Sequence, residues 1–283
     1  MKKTKMKVNT VKNFTVSTAS NILKVMFCLF FAFPFYWMII TSCKEYMESI
    51  AFPPTLIPRK FTIEAYIKVF QGLEWGTYLK NSVIIIVCIM VLSMIIMVPA
   101  AYAFAKYEFK GKGMLFAMVM AAFLVPGQLT FISIYIMFSD MNLIDTLLPQ
   151  ILPFGANAFG IFMLRQNFKQ IPEELIESAR LDDATEIQIM AKIMLPMAKS
   201  TMATIIMTSF ISHWNAYFWP LVMTNDESLR PLTMAIAKLK DLEGAVNWPI
   251  VMAGNVILVL PTLIIFLLGS KKLIDSMAYR GVK

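Results

Sequence analysis

The amino-acid sequence predicts an all-α, polytopic membrane protein with six transmembrane helices, and three observations lead there. The 283-residue chain is 58% hydrophobic and 16% charged, with a mean hydropathy of +0.65, outside the balance of a soluble domain. Six apolar stretches, near residues 25–42, 81–105, 114–138, 146–164, 201–224 and 250–269, are each about as long as the ~20 residues a helical span needs. Asp, Glu, Lys and Arg collect between these stretches, and none lies well inside one. No soluble domain of ordinary size is left over.

The first stretch follows a basic segment (1–24). Ile40-Thr41-Ser42-Cys43 loosely imitates a lipoprotein cleavage site, but the apolar run exceeds the ~7–15 residues of a signal h-region and five further stretches follow, so a retained helix is expected. Segment 25–78 comprises this helix and an outer part with Phe52-Pro53-Pro54 and Ile57-Pro58, prolines dense enough to forbid a regular helix around them. Residues 79–270 form the core of five spans. Its second and third spans in the chain are joined by the short link 106–113, and the third and fourth by a tight turn at Asp140-Met141-Asn142. A charged segment, 168–198, separates the fourth and fifth. The 225–248 connection is long and mixed in charge, which makes it a candidate contact surface. Residues 271–283 are a tail. Pro34, Pro99, Pro126, Pro149, Pro153 and Pro261 are expected to kink their spans.

Lys and Arg set the orientation. The N-terminus, the 106–112 link, the 165–199 segment and the tail hold 18 of the 26 basic residues. Basic residues mark the cytoplasmic side, so both termini and the charged segment are expected in the cytoplasm. The net charge of +8 is therefore a topology signal; the basic residues are scattered over four segments and form no patch for nucleic acid. Cys28, Cys43 and Cys88 are too dispersed for a disulfide framework or a metal site and read as apolar fillers.

No catalytic constellation is present. The chain has no Gly-x-x-x-x-Gly-Lys-Ser/Thr loop, so an ATP-powered process would need a nucleotide site, with its ATP and Mg, on another polypeptide. His213 is the single ionisable group within a span, which argues against proton-driven transport. Trp214 and Asn215, with Asn157 and Gln128, are candidate pathway-lining residues: an aromatic face and amide groups suit a sugar. The competing reading is hydrogen bonding between helices, a common use of polar groups in membrane spans, and it is the favoured one for Trp214 and Asn215.

The charged segment keeps helical spacing. Pro172 suits a first helical position, with Glu173 and Glu174 behind it where carboxylates complement the positive helix end. Phe168, Ile171, Leu175 and Ala179 recur at helical spacing, as do Ile187, Met190 and Met194, so two short helices joined at Asp182-Asp183 are expected. One face would bury against the membrane domain and the other, carrying Arg180 and Lys192, would meet a soluble partner.

Glu177-Ser178-Ala179, Asp182-Asp183-Ala184 and the closing Leu195-Pro196 resemble the "EAA" loop of binding-protein-dependent ABC importer permeases, with Asp183 where the family has glycine. Asp is among the few residues that tolerate a left-handed backbone. Asn81-Ser82, Ala101-Tyr102-Ala103-Phe104-Ala105, Gly160-Ile161-Phe162-Met163-Leu164-Arg165-Gln166, Trp214-Asn215, Trp219-Pro220 and the Arg280-Gly281-Val282-Lys283 ending are similar to the six-span member of the permease pair in maltose-type carbohydrate importers. The resemblance implies a type I ABC importer permease fold. It implies half of a pathway for a carbohydrate or polyol, no enzymatic activity, a paralogous permease, two ATPase subunits and an extracytoplasmic solute-binding protein. It places ATPase docking on Glu177, Ser178, Ala179, Arg180, Asp182, Asp183 and Ala184. The alternative is a self-sufficient secondary carrier or channel.

Overall fold

The computed structural model describes residues 2–240 and 246–278, with side chains from 20 to 240 and 246 to 270; the Arg280-Gly281-Val282-Lys283 ending and residues 241–245 of the long connection lie outside it. Among the described residues every regular element is helical. The chain divides into two compact units, Met1–Gly72 with Leu239–Ile257, and Leu73–Lys238 with Leu258–Lys283.

The first unit is built on α1 (Lys2–Ser42) and α2 (Glu64–Gly72). The apolar surface of α1 over residues 20–35 is exposed, as suits a helix facing lipid. The proline segment after it is irregular, and α2 forms only past Pro58. Polar groups pin that segment down: Lys44 Nζ donates to Thr55 O at 2.5 Å and lies over the Trp37 ring, and Thr55 Oγ1 and Arg59 N donate to Glu48.

The second unit is organised around α3 (Trp75–Lys106), with α4 (Lys112–Leu124), α5 (Gly127–Asp140), α6 (Ala158–Phe168), α7 (Glu173–Leu181), α8 (Glu186–Met197), α9 (Lys199–Trp214), α10 (Phe218–Met223) and α11 (Leu232–Lys238). The last helix, α12 (Trp248–Ala278), begins in the first unit and ends in the second. Tyr78, Ser82, Ile85, Ile89, Ser93, Met97 and Ala101 of α3 recur every three or four residues and are buried, forming one stripe. Against it lies α6, close enough at Gly160 that an added Cβ would stand 2.1 Å from Met97 Sδ.

Among the described residues three helices are long and apolar enough to cross a bilayer, Ser20–Ser42, Trp75–Lys106 and Trp248–Ser270, or five if each of two bent pairs is one crossing. The third apolar stretch bends by 96° between α4 and α5. Pro126 drives the residue before it out of the helical region, and Val125 is extended there (φ −76°, ψ 119°). The fourth stretch is not one helix. Pro149 and Pro153 restrict it to single turns at Leu148–Ile151 and Leu152–Phe154, and α6 begins only after Asn157. Its 11 residues span about 16 Å, half a hydrocarbon core.

The 225–248 connection is exposed over 225–228 and buried over part of its further length. Leu232, Thr233, Met234, Ala235 and Ile236 of α11 are buried. Asn81 Nδ2 donates to the carbonyls of Ser228 (2.7 Å) and Arg230 (3.1 Å), Ser82 Oγ accepts from Leu232 N, and Thr233 Oγ1 donates to Ala216 O. The apolar run Pro231–Ile236 satisfies its burial inside this unit, which hydropathy averaged over the whole connection conceals.

Candidate functional site

The charged segment folds as two helices joined by a tight turn. Pro172 is the cap residue preceding α7 and not its first residue, and Glu173 and Glu174 occupy the first turn. At the other end Ala184 N donates to Ala179 O (3.0 Å) and Asp183 N to Arg180 O (3.1 Å), the two bonds of a Schellman motif. That motif needs a left-handed residue, and Asp183 supplies it with φ 56°. The next helix begins at once: Thr185 and Gln188 form a reciprocal capping box at the start of α8. Within α8 residues Met190–Met194 widen to a π-helical turn, and an 84° bend separates α8 from α9.

The buried face keeps Phe168, Ile171 and Met194 of the expected stripe, and takes Ile176 and Ile189 in place of Leu175 and Ile187. Phe168, Ile171, Ile176, Ile189 and Met194 are buried in one cluster with Met97, Val98, Ala101 and Tyr102 of α3, and Ala179, Ala184 and Met190 pack at its edge. Leu175 and Ile187, predicted inward, are exposed, and Leu181 is 86% exposed. Leu175 and Ile176 are both apolar, so periodicity within the segment did not separate them. Glu177, Ser178, Asp182 and Asp183 are exposed beside these apolar side chains, Ala179 and Ala184 are half-buried, and Glu177 makes no ion pair among the described residues.

Arg180, exposed like Ser178 and Asp182, also makes contacts within the chain. Its Nε donates to Glu186 Oε1 (3.0 Å), and Tyr102 OH donates to the other carboxylate oxygen (2.7 Å). The guanidinium also stands over the Tyr107 ring, 6.0 Å from its centre. Burial works against a charged Glu186, but hydrogen bonds from Tyr102, Arg180 and Tyr107 hold its carboxyl below the ordinary value, and the bond to Glu186 raises Arg180. Burial, with the bond to Glu186, raises Tyr107. Lys106 braces the segment, its Nζ donating to Ile171 O (2.6 Å) and Glu173 Oε2 (2.9 Å), and just before it Arg165 Nε of α6 donates to Phe104 O while stacking on Phe116. Sequence reasoning missed Glu186, Tyr102, Tyr107 and Lys106. The available signal was a tyrosine–lysine run ending an apolar stretch, which marks an interface but names no partner.

The pathway candidates separate. Trp214 is buried, donates Nε1–H to Leu258 O (2.8 Å) and stacks on Phe210, so it holds helices together. Asn215 Nδ2 donates to Ile211 O within its own helix end, and Asn157 Oδ1 accepts from Gly160 N as the cap of α6. Gln128 alone of the four lines a groove, of about 330 Å³, with Phe131, Phe154, His213, Tyr217 and Trp219. Phe131 and Phe154 each meet Trp219 edge-on at 5.0 and 5.2 Å between ring centres, giving a rigid aromatic wall. No group of three or more potential metal-ligating side chains occurs among the described residues.

Residues 97–271 match the family model described as the inner membrane component of binding-protein-dependent transport systems. The arabinooligosaccharides transport system permease protein AraQ of Halalkalibacterium halodurans is 31% identical over 255 residues, covering 89% of this chain and 91% of that one. The sn-glycerol-3-phosphate transport system permease protein UgpE of Brucella abortus is 28% identical over 256 residues, covering 88% and 91%. A chain of a bacterial ABC transporter involved in import of the acidic polysaccharide alginate superposes with a TM-score of 0.81 at 26% identity, over 90% of this chain and 95% of that one. A second alginate transporter chain, crystallised with a periplasmic protein bound to an alginate pentasaccharide, shares the fold with a TM-score of 0.61 at 16% identity.

Proposed function

The chain belongs to the family of inner membrane components of binding-protein-dependent transport systems, and from that premise we propose that it forms half of the pathway of an ATP-driven importer for a carbohydrate or polyol. The observation that carries the proposal is the exposed surface of α7 and α8: Leu175, Leu181 and Ile187 beside Glu177, Asp182 and Asp183, on two helices joined by a tight turn and anchored to α3. A transport subunit with no nucleotide motif of its own needs a partner that hydrolyses ATP, and this surface has the mixed apolar and acidic character of a docking site. In this reading two ATPase subunits, which hold ATP and Mg, dock on the 168–198 segment from the cytoplasm. A paralogous permease completes the pathway, and an extracytoplasmic binding protein delivers the solute. Both termini face the cytoplasm. Closure of the ATPases drives alternating access by rocking the helices.

The solute class rests on the relatives. Their names cite arabinooligosaccharides, sn-glycerol-3-phosphate and alginate, which differ in size and charge and share a polyhydroxylated carbon skeleton. The groove at Gln128, walled by Phe131, Phe154 and Trp219, suits such a skeleton, with apolar ring faces for C–H surfaces and an amide for hydroxyls. Purification of the chain from its native membrane tests the assembly: ATPase subunits and a second permease are expected to accompany it. Isolation of an active transporter made of this chain alone would instead establish the secondary carrier or channel.

A further inference from the structure

We infer that Glu186 is the joint through which the docking segment moves α3, making it, with Tyr102 and Arg180, a positioning element that converts ATPase motion into rearrangement of the membrane helices. The inference rests on the docking reading given above. Glu186 stands in the first turn of α8, and its two carboxylate oxygens point to different elements, Oε1 to Arg180 of α7 and Oε2 to Tyr102 of α3. One side chain therefore ties three helices together. Tyr102 is 2% exposed and meets the Tyr107 ring edge-on at 5.6 Å, and Tyr107 in turn lies under Arg180, so the hydroxyl is held in place from its ring side.

The apolar contacts do not hold this register as sharply by themselves. Ile176, Ile189 and Met194 meet Met97, Val98 and Ala101 through apolar surface, which is non-directional and lets helices slide. A charge-assisted hydrogen bond is short and angle-dependent, so it fixes the register of α8 along α3. The Schellman turn and capping box keep α7 and α8 at one angle, so a push on the exposed face of either displaces both. Lys106 secures the entry of the segment at Ile171 and Glu173, one turn beyond Tyr102 on α3. The segment thus grips the end of α3 at two points and moves it as a lever.

The test uses the complete transporter in lipid nanodiscs, free of native cysteines and carrying Gln128→Cys as a reporter in the groove. Maleimide labelling is compared without nucleotide and with ATP and vanadate. In the parent complex the labelling rate is expected to change with nucleotide. Tyr102→Phe and Glu186→Gln should each keep the ATPase subunits bound and hydrolysing ATP, while the nucleotide-driven change in labelling falls by about tenfold, the effect of one charge-assisted hydrogen bond. The double variant should be no worse than either single one. An undiminished labelling change in both single variants overturns the inference, and so does loss of the ATPase subunits from Tyr102→Phe, which would make the hydroxyl a folding contact only. Absence of ATPase subunits from the parent complex would instead sink the docking reading itself.

Discussion

Lys106, at the last residue of α3, places its ammonium 2.9 Å from the carboxylate of Glu173 in the first turn of α7 and 2.6 Å from the carbonyl of Ile171. The lysine side chain is 5% exposed and the glutamate 47%. The ion pair is therefore half in water and modest in strength, whereas the buried carbonyl bond is what a truncation would orphan. Together they fix where the charged segment leaves the membrane domain.

Lys106→Met is accordingly expected to destabilise the purified protein by about 1–3 kcal/mol, leaving Ile171 O without its donor. Glu173→Gln should cost less than about 1 kcal/mol, since an exposed partner contributes little. Thermal unfolding in detergent separates the two; equal losses would show that the ion pair dominates.

Asp183 holds a left-handed backbone at φ 56°, a conformation that glycine adopts without strain. Asp183→Gly should raise the melting temperature or leave it unchanged, while Asp183→Val should lower stability by about 1–2 kcal/mol or more. A destabilised glycine variant would mean that the aspartate carboxylate makes a contact of its own.

Glu177 is exposed on α7 among Leu175 and Leu181, where a docked ATPase would bury it. Reversing such a charge from one side costs about 3–5 kcal/mol once burial is complete. Glu177→Lys should release the ATPase subunits during affinity purification. Full retention would move the decisive contact away from Glu177.

Orientation is open to direct labelling. A cysteine at Asp226 should react with an impermeant maleimide on intact cells, and one at the exposed Ala191 should not. The reverse pattern would invert the assignment of sides.

The Glu186 carboxyl sits below its ordinary value in the folded protein because Tyr102, Arg180 and Tyr107 hydrogen-bond its charged form. A depressed carboxyl contributes stability above its unfolded value, about 4.3, and loses it as pH falls through the folded value. Stability of the parent protein should therefore drop below about pH 4.3 more steeply than that of Glu186→Gln. Parallel acid profiles would show that the carboxylate is not engaged in solution.

Much of the site could be read in the sequence because its determinants are local. The turn at Asp183 involves residues within five positions of each other, and residue type alone is enough to propose it; the equally local Thr185–Gln188 capping box went unread. The fold class was equally legible, since an apolar stretch free of charge has few places to go except a bilayer. The fourth stretch resisted because hydropathy measures only transfer to lipid. Pro149 and Pro153 decide whether that stretch is a helix, and the backbone groups they free must be satisfied by neighbours that the sequence does not identify.

By itself the sequence determined that this protein is a helical membrane component with a charged helix pair, because composition and periodicity act over one or two turns. Only the tertiary structure decided that Ile176 faces inward in place of Leu175, that residues 232–236 return to the interior, and that Glu186 bonds Tyr102 across 84 positions. The physical reason is the same in each case. Two adjacent apolar residues have equal claims on burial until a particular surface is set against one of them, and a carboxylate acquires a partner only when another helix delivers its donor. Those choices belong to the packing of α3 against α6, α7, α8 and α11, which no local pattern encodes.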